Sequence, residues 1–177
     1  MKNNNKLQLS VFLTNLGKYT EGELCGKWVI VDVNTSWSDE LKNIGVDGVK
    51  YEEYFITDVE SNFDIQLGEY TSIVELKDLA EKLEELNDEG IDAGILSGLI
   101  ELTGDFNSAY QKVMDGEYNN IPDVQDESDI GYYLVEEGYF SDVPENVKIY
   151  LDYDAIGRDY VINTTGTFTD SGYISIY

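Results

Sequence analysis

The sequence contains no histidine. The side chain that most often works as a general base near neutral pH is therefore missing, and so is every Ser-His or Cys-His nucleophile pair, which leaves carboxylate, lysine, tyrosine or metal chemistry. A single cysteine, Cys25, excludes an intramolecular disulfide and any zinc cluster built from cysteine and histidine. Positive charge is scarce, with 11 Lys and Arg against 36 Asp and Glu and a net charge of -25. Arg158 is the lone arginine and no GxxxxGK(S/T) or GxGxxG stretch occurs, so a phosphate-binding site is not expected. Nucleic acid and anionic membranes are poor partners for such a chain, whereas positively charged surfaces attract it. The N-terminus, MKNNNKLQLSVFL, lacks the apolar core and cleavage site of a signal peptide, and no apolar run approaches the roughly 18 residues of a membrane span. The expectation is a soluble, cytoplasmic protein.

What is present is a chain able to fold. At 177 residues and 42% apolar content it can bury a core, as one domain or as two to three very small ones. Acidity is densest from Asp123 to Tyr160, where eleven acids face two bases, Lys148 and Arg158. Between the acids stand Tyr132, Tyr133, Tyr139, Phe140, Tyr150, Tyr153 and Tyr160, enough apolar surface for this stretch to fold rather than stay a solvated tail. B-form DNA carries about one negative charge per 1.7 Å of axis, so a charge of -25 corresponds to roughly 43 Å of duplex. A compact chain of this length has a radius of gyration of about 16 Å and a diameter on the order of 40 Å. Imitation of duplex DNA is thus physically possible on line charge, a property that many acidic proteins share.

The periodicity changes twice along the chain. Leu7 to Leu13 alternate as a strand, Asn15, Gly17, Gly22 and Gly26 mark a long turn, and Lys27 to Val33 supplies a second strand. Ser36 or Ser38 caps a short helix over Asp39 to Ile44, and Tyr51 to Val59 returns as a strand. Ser72 and Glu75 then form a capping box for a helix carrying Ile73, Leu76, Leu79, Ala80, Leu83 and Leu86 and ending near Gly90. Asp92 and Asp105 cap two more helices. Asn119, Asn120 and Pro122 break the pattern, and Ser128 caps a helix over Asp129 to Glu137 that stops at Gly138. Asp142 with Pro144 starts another, which ends before Gly157, and Tyr160 to Tyr177 reads as a hairpin. The fold class is α+β in three parts: an N-terminal antiparallel β-sheet with a short helix over 1–61, a middle helical bundle over 62–122, and an acidic C-terminal α+β domain over 123–177.

Specific chemistry is harder to place. Asp152, Asp154 and Gly157 loosely follow the start of a calcium loop, but Ile156 stands where an oxygen ligand belongs and Asn163 fills the twelfth place. Asp126 to Glu137 puts Gly131 sixth and Glu137 twelfth, yet Ile130 again occupies a ligand position. No metal or cofactor is expected. Carboxylate pairs are too abundant here for any one to identify a hydrolase.

Four blocks carry a further signal: LTNLGKYTEGELCGKWV at Leu13–Val29, YEEYFITDVES at Tyr51–Ser61, GEYTSIVEL at Gly68–Leu76 and VPENVKIYLDYDAIGRDY at Val143–Tyr160. In this order, and over most of the chain, they resemble ArdA-type antirestriction proteins, with little likeness between Lys77 and Asn120. The resemblance implies a DNA mimic, usually encoded on mobile genetic elements, that is not an enzyme. Such a protein competitively occupies the DNA-binding groove of type I restriction-modification enzymes, on their methyltransferase core, in the bacterial cytoplasm. It also implies an elongated three-domain form that pairs into a homodimer whose surface carboxylates stand in for phosphates. The partner-binding acids are then Asp115, Glu117, Asp123, Asp126, Glu127, Asp129, Glu136, Glu137, Asp142, Glu145, Asp152, Asp154 and Asp159. In the helix from Asp129 to Glu137, Ile130, Tyr133 and Leu134 share a face with Phe140 beyond its end. Tyr132, Val135 and Tyr139 are left over as dimer-interface candidates, unless all of these side chains are intradomain core. The alternative function is an acidic inhibitor or adaptor for another DNA-binding protein, with a carboxylate-dependent enzyme third.

Overall fold

The computed structural model describes residues 6–141 and 143–177, and their architecture is α+β. Packing separates two compact units, one up to Ala93 and one over Gly94–Tyr177. Among the described residues there are eight helices and two three-stranded antiparallel sheets. The three-part division at 61 and 122 is a different partition from these units.

In the first unit, Leu9, Val11 and Leu13 alternate with less buried neighbours along β1, Leu9–Asn15. Asn15 ends the strand and caps α1, Leu16–Thr20, accepting a hydrogen bond from the Lys18 N–H at 3.0 Å. β2, Gly26–Ile30, and β3, Tyr54–Ser61, flank β1 in the order β2-β1-β3. All three expected strands are present, with displaced ends. β2 stops before Val33 because the chain turns at Asp32, whose Oδ1 accepts from the Asn34 N–H at 2.9 Å. β3 starts late because Asp47 Oδ1 gathers the N–H groups of Val49, Lys50 and Tyr51 into a loop. Those bonds hold the Asp47 carboxyl below the usual carboxylate range, the Tyr51 N–H first among them. Between β2 and β3 lies α2, Trp37–Asn43, with Trp37 buried.

The helix α3, Ile73–Asp88, carries the expected capping box between Ser72 and Glu75 and buries Leu76, Leu79, Ala80, Leu83 and Leu86. It ends where Gly90, at φ 76°, supplies the left-handed conformation that lets the Ile91 N–H reach the Leu86 carbonyl. Residues 62–122, expected as one bundle, are shared: α3 lies in the first unit, while α4, Ala93–Thr103, and α5, Phe106–Met114, run into the second.

The second unit continues with β4, Tyr118–Ile121, α6, Glu127–Glu136, α7, Glu145–Lys148, α8, Tyr153–Asn163, β5, Thr165–Thr169, and β6, Gly172–Ile176. Its sheet order is β4-β6-β5, with Ile121 opposite Tyr173 and Phe168 opposite Tyr173 on the other side. Ile121, Val124, Ile130, Leu134 and Tyr173 form the core, and Tyr133, Ile156, Tyr160, Val161 and Phe168 pack against it.

Three sequence expectations are corrected here. Asn119 and Asn120, read as breaking the pattern, lie in β4, whose support is long-range pairing to β6. The hairpin begins at Thr165, because Tyr160 to Asn163 belong to α8. Gly157 does not end a helix but sits inside α8, where it permits close backbone packing against α6. A Cβ on Gly157 would stand 1.6 Å from the Glu127 carbonyl oxygen of α6, and one on Gly131 of α6 would stand 1.9 Å from the Tyr153 carbonyl oxygen of α8. The two helices therefore touch backbone to backbone at paired glycines.

Candidate functional site

Most acids named from the sequence gather on this α6 and α8 pair. Asp126 caps α6 by accepting from the Asp129 N–H at 3.0 Å, and Asp152 caps α8 by accepting from the Ala155 N–H at 3.0 Å. Glu127 and Asp129 occupy the first turn of α6, where the positive end of the helix dipole favours them. The two suspected calcium loops coincide with α6 and α8, so their acids ride on helices instead of converging on the centre of a loop.

Lys148 is placed beneath this acidic layer, whereas Arg158, 57% exposed, stands level with its carboxylate partner. Lys148 Nζ pairs with Glu136 and Glu145, each at 2.8 Å, with 16% of its side chain exposed against 87% for Glu145. The hydrogen bond to Glu136, followed by that to Glu145, raises the Lys148 ammonium well above its ordinary pKa and keeps it charged. Arg158 pairs with Asp154 along α8, and Lys112 with Glu117 at 2.7 Å. Asp115 is the C-cap of α5, and Asp123 sits in a turn at φ 60°. All of these named acids are exposed except Glu127, which is half-buried; Asp142 lies outside the described residues.

Two helices end against their own electrostatics. α6 finishes on Glu136 and Glu137 and α3 on Asp88 and Glu89, with no basic residue in the last turn of either. Carboxylates at the negative end of a helix dipole lower stability, so acid is present there at the expense of the helix.

The first unit carries an acidic stripe that reasoning centred on the last third of the chain missed. Asp78, Glu81, Glu85 and Asp88 of α3 recur at spacings of three and four, all exposed, opposite the buried leucines. At about 1.5 Å of rise per residue, these four acids span about 15 Å. Lys82 pairs with Asp78 at 2.7 Å but is the more covered partner, 23% against 60% exposed. The same helical periodicity that identifies the core face identifies this stripe, once charge is counted on it.

The dimer candidates separate. Tyr132 and Tyr139 are 57% and 62% exposed, and Phe140, expected on the core face, is 54% exposed, whereas Val135 is 3% exposed and belongs to the core of its own unit. Tyr139 escapes the helix because Gly138, at φ 77°, turns the chain after Glu137.

Among the described residues, no helix is long and apolar enough to cross a membrane. The family model described as antirestriction protein (ArdA) matches residues 11–175. A comparison with curated proteins gives no match.

Proposed function

The chain belongs to the ArdA family of antirestriction proteins, and we propose that it acts by presenting carboxylates in place of DNA phosphates to the DNA-binding groove of type I restriction-modification enzymes. The observation that carries this reading is the α3 stripe. One strand of B-form DNA has about one phosphate per 3.4 Å of axis, so about 15 Å of strand holds four to five phosphates, the charge density of Asp78, Glu81, Glu85 and Asp88. The α6 and α8 surface supplies further acids, and the covered positions of Lys148 and Lys112 keep carboxylates outermost. Acids that oppose the helix dipoles at the ends of α3 and α6 fit a surface kept for its charge.

Competition with DNA is the direct test. Titrating the protein against a type I methyltransferase core bound to labelled duplex should release the duplex, and direct binding of the protein to the DNA-free core should weaken as salt rises. A ternary complex that retains its DNA would end the mimicry reading.

We further propose that the protein works as a homodimer, with Tyr132 and Tyr139 at the contact. Both are exposed aromatics on one unit, the residue type that interfaces favour, while Val135 is taken by the core. The double variant Tyr132→Ala, Tyr139→Ala is expected to sediment as a folded monomer. A variant that stays dimeric at the concentration of the parent places the contact elsewhere.

A further inference from the structure

The first sheet buries the face of Leu9, Val11 and Leu13, and its other face, closed at Thr14, is open at the Ser10 and Phe12 rungs and not uniformly acidic there. Along β2, Val29 points to the core while Trp28 and Ile30 point outward, 42% and 66% exposed. Register places Trp28 opposite Phe12 of β1, and Phe12 opposite Asp58 of β3; the next rung runs from Ile30 through Ser10 to Glu60. The rings of Phe12 and Trp28 meet edge to face with centroids 5.4 Å apart, which fixes the indole on the surface. Two rungs of three strands cover roughly 10 by 7 Å at the usual strand spacing and rise. The patch is therefore an aromatic and aliphatic ridge along the β2 edge with a carboxylate border on β3.

We propose that this face is a docking surface for a positively charged protein surface, with Trp28 as the anchor, and that it holds the target enzyme outside its DNA-binding groove. This rests on the reading of the target given above. An exposed tryptophan braced by a neighbouring ring is the kind of side chain that dominates interface energies once desolvated, and the carboxylates beside it select a partner that brings Lys or Arg. A second copy of this chain is a poor occupant, because two such faces would oppose Asp58 and Glu60 with like charges on a chain of net charge -25. DNA-mimetic charge would then provide occupancy of the groove, and Trp28 a contact that does not depend on counterion release.

The test measures direct binding of the full-length protein to a purified type I methyltransferase core across a salt series, with duplex competition run on the same samples. Trp28→Ala, shown folded by circular dichroism, is expected to bind at least tenfold more weakly with an unchanged salt slope, and Trp28→Phe to recover part of the loss. In the parent protein labelled with 5-fluorotryptophan, the fluorine signal of Trp28 should lose its solvent-isotope shift on binding, while that of the buried Trp37 shows none in either state. Unchanged affinity of folded Trp28→Ala, or a Trp28 signal that stays solvent-exposed in the complex, overturns the proposal. A shift of the free protein to a smaller oligomer on Trp28→Ala assigns the face to a second copy and overturns it too. If duplex fails to displace the parent protein while Trp28→Ala still weakens binding, the mimicry reading falls and the docking face stands.

Discussion

Replacing Asp115, Asp123, Glu127, Asp129, Glu137 and Asp159 together by their amides is expected to weaken binding to a type I methyltransferase core on the order of a hundredfold. Each of these carboxylates lies on the second unit, and none of the six holds an ion pair among the described residues. An exposed charge pair is worth about 0.5 kcal/mol, so six lost contacts amount to about 3 kcal/mol, or roughly two orders of magnitude in Kd. The caps Asp126 and Asp152 are left in place so that the variant stays folded. Asn at 129 keeps an oxygen to accept from the Gln125 N–H, now 2.9 Å from the carboxylate. Single replacements such as Asp129→Asn or Glu136→Gln should each change affinity about twofold. One single replacement that abolished inhibition in a folded protein would contradict a distributed electrostatic surface and indicate a hot spot. The same measurement on Glu81, Glu85 and Asp88 of the α3 stripe is expected to give a loss of about tenfold, three contacts in place of six.

Gly157→Ala is expected to unfold or severely weaken the second unit, although it adds one methyl group. The added carbon would stand 1.6 Å from the Glu127 carbonyl oxygen and 2.9 Å from the Gly131 amide nitrogen, both backbone atoms of α6. No rotamer relieves such a contact, so α6 and α8 must separate and open the core of Ile130, Leu134 and Tyr173 between helices and sheet. Overpacking of this kind costs about 3 kcal/mol or more, which in a unit of this size lowers Tm on the order of 15 °C. Gly68→Ala, whose methyl group meets nothing closer than Thr71 Oγ1 at 3.8 Å, should leave Tm within a degree or two by comparison. Thermal unfolding followed by circular dichroism decides the matter, and a Gly157→Ala protein as stable as its parent would show that the helices do not cross at these glycines.

Local signals in the sequence were sufficient wherever one segment carries its own instructions. The capping box at Ser72 and Glu75, the leucine spacing of α3, the cap at Asp105 and the alternation of β1 each produce the element they predict, because caps and amphipathic faces act within one or two turns. Family membership was legible too, in blocks of residues distributed over most of the chain. The net charge of -25 was readable as a total, yet its distribution was not. What only the tertiary structure decided depends on residues far apart in sequence. β4 exists because Tyr118 to Ile121 pair with β6, more than fifty residues away. Gly157 reads as a helix stop until α6 is laid across it, and Val135 reads as surface until its unit closes over it. Which carboxylates face outward, and which cations are drawn beneath them, follows from the same closure: a side chain's exposure is set by what packs on the other faces of its element, and that information is not local.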